Sequence, residues 1–488
     1  MHQMIIRNAS IIDGSGKDRY RADILIVGDR IGAIGNLADR SEYAGIEQRD
    51  AEGLVLCPGF IDAHSHDDNA LLRDPGMAPK VTQGVTTVVT GNCGISLAPL
   101  VSKSPPSPLD LIAADDPLAF RYETFADYMT ALEEKPAAVN TAPMVGHSTL
   151  RIAAMTDIDR PATAGEIAEM RRLLREAIEA GAVGFSTGLF YPSSRAAPAE
   201  EVVAVLQALE GSQAVYTTHM RDEADEIDAS LEESFETARQ ANVPLIISHH
   251  KCMGKRNFGR TTETLKRIER AAQEQDVSFD VYPYEAGSTV LLQDLADKSY
   301  RVRLTRSKPH PEMVGRELAD VAAEWGVTEH EAMQRLSPGG AVYYMMDQAD
   351  VDRVLKHDLA MIGSDGMPHD HFPHPRLWGT FPRVLGHYAR DRGLFSLEMA
   401  IHRMTGLTAR KFHLEGRGTI SEGAFADLVL LDPEKIIDRA TFDDPTAPAD
   451  GIQAVFVNGE AVLDKGALTA ARPGRVLRHA EVRESAVL

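Results

Sequence analysis

Two histidines one residue apart, His64 and His66 in GFIDAHSH, stand where an apolar run of strand length gives way to polar residues. Side chains two apart on a strand project from the same face, so both imidazoles can address one metal ion. Other apolar runs end in the same manner: VTTVVTGNCG in Cys93, AVYTTHM in His219, PLIISHHK in His249 and LAMIGSDG in Asp365. Imidazoles, a thiolate and a carboxylate together suit a borderline-soft divalent ion such as zinc. Zinc lowers the pKa of a bound water toward ~7 and polarises a substrate carbonyl, so hydrolysis is the chemistry to expect. Asp365 is the strand-end acid placed to take a proton from the attacking water and return it to a leaving amine, a general base and then acid. Each residue alone also has an ordinary reading: a strand-end His is often just hydrogen-bonded, and a buried Cys is a small hydrophobe. Cys57 and Cys252 are read in that structural way.

Convergence of these residues needs a scaffold. Eight runs of strand length, GFIDAHSH, VTTVVTGNCG, NTAPMVGHS, AVGFSTG, AVYTTHM, PLIISHHK, VSFDVYPY and LAMIGSDG, alternate with helical segments. That is the pattern of βα units around a parallel sheet. Eight of them predict an α/β fold with a (β/α)8 TIM-like barrel, whose chemistry sits at the C-terminal strand ends, where His147 and Tyr282 also fall. Between Ala164 and Ala180, Ile167, Met170, Leu174 and Ile178, joined by Leu173 and Ala177, form a helical apolar stripe that stops at Gly181. Residues 285–345 are too long for a βα connection and are expected to be an insertion after strand 7, over the active-site face. Short β-branched runs with Asp-Gly and Gly-Asn turns fill residues 1–58 and return after Gly416. Both termini should therefore build one small β-sandwich domain, 1–58 with 415–488, beside a hydrolase barrel at 59–414.

Composition narrows the partners. The 488 residues carry a net charge of −21, which repels phosphate backbones and anionic lipid, so neither nucleic acid nor a membrane surface is expected. No run approaches the ~20 apolar residues of a membrane helix, and the opening MHQMIIRNASIIDGSG lacks the features of a signal peptide. Three cysteines are too few and odd in number for a disulfide framework, which predicts a cytoplasmic protein. The oligomeric state is not written in the sequence.

The HxH after an N-terminal β module, the histidines of the fifth and sixth strands, the Asp of the eighth and a terminal ADLVLLDP together resemble the amidohydrolase superfamily. More narrowly, TGNCGISLAPL, MVGHSTLR, THMRDE, ISHHK, DVYPYEAGST and GSDGMPHDHFPHPRLWGTFPRVLGHY look like the N-acyl-D-amino-acid deacylase (D-aminoacylase) family over nearly the whole chain. The resemblance implies zinc-dependent hydrolysis of small-molecule N-acyl-D-amino acids. It implies a tight zinc site at Cys93, His219 and His249, and a second, weaker position served by His64 and His66 with Asp365. It also implies that Lys251, Tyr282, Ser288 and Arg376 hold the substrate α-carboxylate. Cys93 stands where many amidohydrolases place a bridging carboxylated lysine, which argues against a hydantoinase or dihydroorotase.

The side-chain preference stays open. The stretch LADKSYRVRLTR carries Arg301, Arg303 and Arg306, which either face a pocket for acidic D-amino acids or face solvent. The alternative activities are another amidohydrolase, such as a hydantoinase-like cyclic amidase or a dipeptidase acting on D-residues. A non-enzymatic scaffold would be expected to have lost ligands or the acid, and all six positions are filled.

Overall fold

The structure, a computed structural model, describes residues 2–37, 40–113 and 116–479. Residues 480–488, the end of the expected C-terminal segment 415–488, lie outside the described residues.

Each of the eight strand-length runs contains a parallel strand: β1 (Phe60–Asp62), β2 (Val85–Thr90), β3 (Asn140–Pro143, resumed after Met144 as Val145–Gly146), β4 (Gly184–Gly188), β5 (Val215–His219), β6 (Leu245–Ile247), β7 (Val277–Val281) and β8 (Ala360–Ile362). They pair in chain order as two ladders, β1–β2–β3 and, from the second piece of β3, through β4, β5, β6 and β7 to β8. Every residue of β2, β4, β5 and β7 is buried, as expected of parallel strands covered on both faces. Between β8 and β1, the Ala63 N–H donates to Ile362 O at 3.2 Å and the Asp365 N–H to His64 O at 2.8 Å.

The stripe read between Ala164 and Ala180 forms the helix Ala164–Glu179. It starts with a capping box in which Thr163 and Glu166 satisfy each other's backbone N–H groups. Met170, Leu173, Leu174, Ala177 and Ile178 are buried, and Ile167 is half-buried. Gly181 follows at φ +105°, where a side chain would be strained.

After β7 the chain builds a three-stranded antiparallel sheet. Gly339–Tyr344 runs between Ala286–Val290 and Arg301–Ser307, and the helices Leu318–Trp325 and Glu329–Leu336 complete the segment.

The two ends of the chain meet in one nine-stranded sheet. Val55–Pro58 joins its halves, pairing in parallel with Gln3–Ile11 and antiparallel with Leu428–Leu431. The terminal strands, expected to form a sandwich, are thus hydrogen-bonded into one continuous sheet. Ile6, Ile24, Ile26, Leu428, Leu430 and Phe456 belong to a single apolar cluster along it. Asn140 ties this sheet to β3: its Nδ2 donates to Asp427 at 3.1 Å, and its Oδ1 accepts from Asn458 at 2.8 Å. Among the described residues, no helix is long and apolar enough to cross a membrane.

Candidate active site

The turn after β2 is tight. A Cβ on Gly91 would lie 2.1 Å from Met144 O, and one on Gly94 would lie 2.8 Å from Gly188 N, so only glycine fits on either side of Asn92 and Cys93. Asn92 Nδ2 donates to Val89 O at 2.9 Å and holds the turn. Cys93 itself has φ +54°, His249 has φ +36° and Asp365 has φ +48°. Three non-glycine residues in the left-handed region, gathered at one place, mark backbone strain that the surrounding packing sustains.

Those three residues converge. Cys93 Sγ lies 3.2 Å from His64 Nε2 and 3.5 Å from His249 Nε2, and His249 Nε2 lies 3.1 Å from His219 Nδ1. Asp365 Oδ1 is 3.5 Å from His64 Nε2 and 3.2 Å from His66 Nε2. The ligand atoms of His64, Cys93, His249 and Asp365 all lie within 4.8 Å of one another, and those of His219, Glu223 and His249 form a second such group. His66 belongs to neither: its Nε2 faces Asp365, while its buried Nδ1 has no hydrogen-bond partner among the described residues. His147 is not brought to the site. It lies 3.3 Å from Glu201, in a buried cluster with Arg151.

Two acids that the sequence reading passed over orient the imidazoles. His64 Nδ1 is 3.2 Å from Asp280 Oδ2, and Asp280 Oδ1 accepts the His249 N–H at 3.0 Å. His249 Nδ1 is 3.0 Å from Glu223 Oε1. Nδ1 of each ring lies against a carboxylate, His249 Nδ1 also 2.8 Å from Lys251 Nζ, and Nε2 of both rings faces Cys93, an arrangement common to metal-binding histidines with an outer carboxylate. An acid inside the fully buried strand VSFDV, and one four residues after His219 in THMRDE, were the available signals.

The charges hold one another. Burial pushes the Cys93 thiol up, but His64 and His249 beside it more than offset this and hold it well below the usual thiol range. Burial likewise opposes ionisation of Glu223, yet Lys251 and His249 keep its carboxyl far below the usual carboxylate range. A thiolate and inward-turned imidazole nitrogens form a donor set that fits zinc. Cys57 and Cys252 are different: burial pushes both thiols up, Cys252 to about 12, and leaves them unreactive.

One cavity adjoins the cluster and is lined by Lys251, Tyr282, Ser288 and Arg376 together with His219, His249 and Asp365. Arg376 is wholly buried; its Nη1 lies 2.8 Å from Asp365 Oδ2, its Nη2 donates to Ser288 O at 2.9 Å, and its guanidinium sits 4.5 Å from the Tyr282 ring centre. Arg376 Nε and Ser288 Oγ are buried without a hydrogen-bond partner among the described residues, and both residues line this cavity. Lys251 is more committed, with Nζ 2.7 Å from Glu223 Oε2 and donating to His249 O at 3.0 Å. The arginines of the insertion do not line this cavity. Arg301 and Arg303 pair with Glu317, Arg303 also with Asp443, and Arg306 with Asp110. The apolar side chains Phe190, Met253, Leu295 and Met345 line part of the cavity.

Residues 47–463 match the amidohydrolase family. A D-aminoacylase of Alcaligenes xylosoxydans xylosoxydans is 54% identical over 474 residues, 97% of this chain and 97% of that protein. The crystal structure of an N-acyl-D-glutamate deacylase from Bordetella bronchiseptica, complexed with zinc and a phosphonate inhibitor that mimics the tetrahedral intermediate, is 43% identical with a TM-score of 0.93, covering 97% of this chain and 99% of that one. A dihydropyrimidinase from Brevibacillus agri NCHU1002 shares the fold alone, at 18% identity and a TM-score of 0.62 over 99% of this chain and 100% of that one. The chain belongs to the amidohydrolase family, within its N-acyl-D-amino-acid deacylases, the D-aminoacylases.

Proposed function

We propose that this protein is a zinc-dependent hydrolase that cleaves the amide of N-acyl-D-amino acids to a D-amino acid and a carboxylate. The observation that carries this reading is the pairing of two features in one cavity: the Cys93, His219 and His249 cluster, and the unpartnered donors Arg376 Nε and Ser288 Oγ beside it. The two parallel ladders are read as one closed (β/α)8 barrel over residues 59–414, supported by the β8-to-β1 hydrogen bonds and the Ser65–Gly366 bridge. Residues 285–345 are read as its insertion, and the described residues of 1–58 and 415–479 as the small β domain. Three free buried cysteines suit the reducing cytoplasm.

Cys93, His219 and His249 would hold the tight zinc ion, and His64, His66 and Asp365 a second, weaker position. Zinc bound there supplies a Lewis acid for the acyl carbonyl and lowers the pKa of the attacking water. Asp365, ionised and buried, takes the proton from that water and delivers it to the departing amine. Glu223 and Asp280 keep the imidazoles in place during turnover. Arg376 and Ser288 hold the α-carboxylate, with Tyr282 and Lys251 on the cavity wall completing its surroundings. Fixing the carboxylate and the acyl carbonyl leaves only one hand of the α-carbon able to send its side chain toward the apolar wall. That wall favours apolar D-amino acids, since no cation of the insertion reaches it.

A cyclic amidase would have no use for two buried donors directed at a free carboxylate. Acetate release from N-acetyl-D-leucine and from its L-enantiomer by zinc-loaded protein tests the proposal, which requires turnover of the D-form.

A further inference from the structure

His374, in FPHPR just ahead of the helix Arg376–Arg383, spends both ring nitrogens on backbone groups. Its Nδ1 accepts the Arg376 N–H at 2.9 Å, and its Nε2–H donates to Ala286 O at 3.0 Å. An accepting Nδ1 with a donating Nε2 is the neutral imidazole in one defined tautomer. Burial and the neighbouring Arg376 hold the ring well below the usual histidine pKa, in keeping with that state.

The two partners belong to different elements. Ala286 opens the strand Ala286–Val290, which carries Ser288, and Arg376 opens the helix. The only other polar tie between these two positions is the Arg376 Nη2 bond to Ser288 O among the hydrogen bonds of the described residues. The His374 ring is 1% exposed and stands edge-on to Tyr284 and Phe442, with centroids 5.1 and 5.0 Å away. Phe442, from the C-terminal part of the chain, also packs on Ala286, Val342 and Tyr344, so the ring is braced from the small-domain side as well.

We propose that His374 is a positioning residue for the substrate α-carboxylate: it ties the start of the Arg376 helix to the Ser288 strand, so that the two donors meet one anion at a fixed separation. It touches no reacting atom. The inference rests on the reading that Arg376 and Ser288 bind that carboxylate. Two donors on separate elements hold an anion in bidentate fashion only if their spacing is set before binding, which is what a rigid bridge between backbones provides.

The test compares acetate release from N-acetyl-D-leucine and from N-acetyl-D-leucinamide, which lacks the anionic carboxylate, with zinc content measured on each protein. His374→Asn keeps an acceptor near the Nδ1 position, and His374→Gln keeps a donor near the Nε2 position. The expected result for His374→Ala is a KM for the carboxylate substrate raised about tenfold or more, with a smaller change in kcat, an unchanged KM for the amide and full zinc content. Asn and Gln should each recover part of the loss, and they carry the comparison if the Ala variant does not fold. Variants that keep the wild-type preference for carboxylate over amide, or lose kcat equally on both substrates, would overturn the positioning role alone. A wild-type enzyme that does not distinguish the two substrates would overturn the α-carboxylate reading itself, and this inference with it.

Discussion

Arg376 Nη1 stands 2.8 Å from Asp365 Oδ2, with both side chains buried, so the group proposed to hold the substrate anion is in direct ionic contact with the proposed proton shuttle. Burial alone would push the Asp365 carboxyl up; Arg376 and His64 outweigh it and hold the group well below the usual carboxylate range. A base with a depressed pKa is ready to accept a proton at neutral pH and stops only as pH falls through that low value. Arg376→Leu removes the larger of the two attractions, so the acid limb of the kcat/KM profile should move to higher pH while KM for anionic substrates rises. An acid limb that stays in place would mean that another group titrates there.

Asp365→Asn keeps the size of the side chain and removes its ability to take a proton. Turnover should fall by about 10²–10⁴-fold, the usual contribution of acid–base catalysis, while zinc at Cys93, His219 and His249 is retained. Cys93→Ala should instead lose the tightly held metal. Mass spectrometry of the zinc content together with kcat separates the two outcomes, and a near-normal kcat in Asp365→Asn would remove Asp365 from its role.

Glu223 is tested through metal affinity. It faces His249 Nδ1 at 3.0 Å and Lys251 Nζ at 2.7 Å, both buried. Glu223→Gln leaves Lys251 uncompensated and loosens the imidazole, so zinc binding should weaken by about 10–100-fold, measured by competition with a chromophoric chelator. Equal affinity in the variant would show that His249 is oriented by its backbone alone.

The strands and most of the site were legible for one physical reason. Parallel strands covered on both faces read as uninterrupted apolar runs, and polar residues at their ends, such as His64, Cys93, His219, His249 and Asp365, have one place to converge. Their orienting partners were not legible. Asp280 lies 216 residues from His64 and Glu223 lies 26 from His249, and no local pattern encodes which carboxylate meets which Nδ1. The same limit applies to the insertion arginines. Arg306 finds Asp110, 196 residues away, and so is unavailable to a substrate carboxylate. Lys251 is assigned to the substrate carboxylate by the family resemblance, and its ion pair with Glu223, 28 residues away, is likewise encoded by no local pattern.

The apolar wall makes a specificity prediction. Leu295 lines the cavity with Met253 and Met345, and Arg301, Arg303 and Arg306 of the insertion are not among its lining residues. Leu295→Arg should lower kcat/KM for N-acetyl-D-leucine by about 10–100-fold and raise the ratio for N-acetyl-D-glutamate relative to it. An unchanged ratio would place the substrate side chain against another wall.

The central claim is tested most directly by acetate release from paired N-acetyl-D- and N-acetyl-L-amino acids with apolar, acidic and basic side chains, using zinc-loaded protein. The account predicts hydrolysis confined to the D-series, fastest for apolar side chains and abolished when zinc is removed by a chelator. A zinc-loaded enzyme inert on every D-substrate, yet opening a hydantoin or dihydropyrimidine ring, would contradict it.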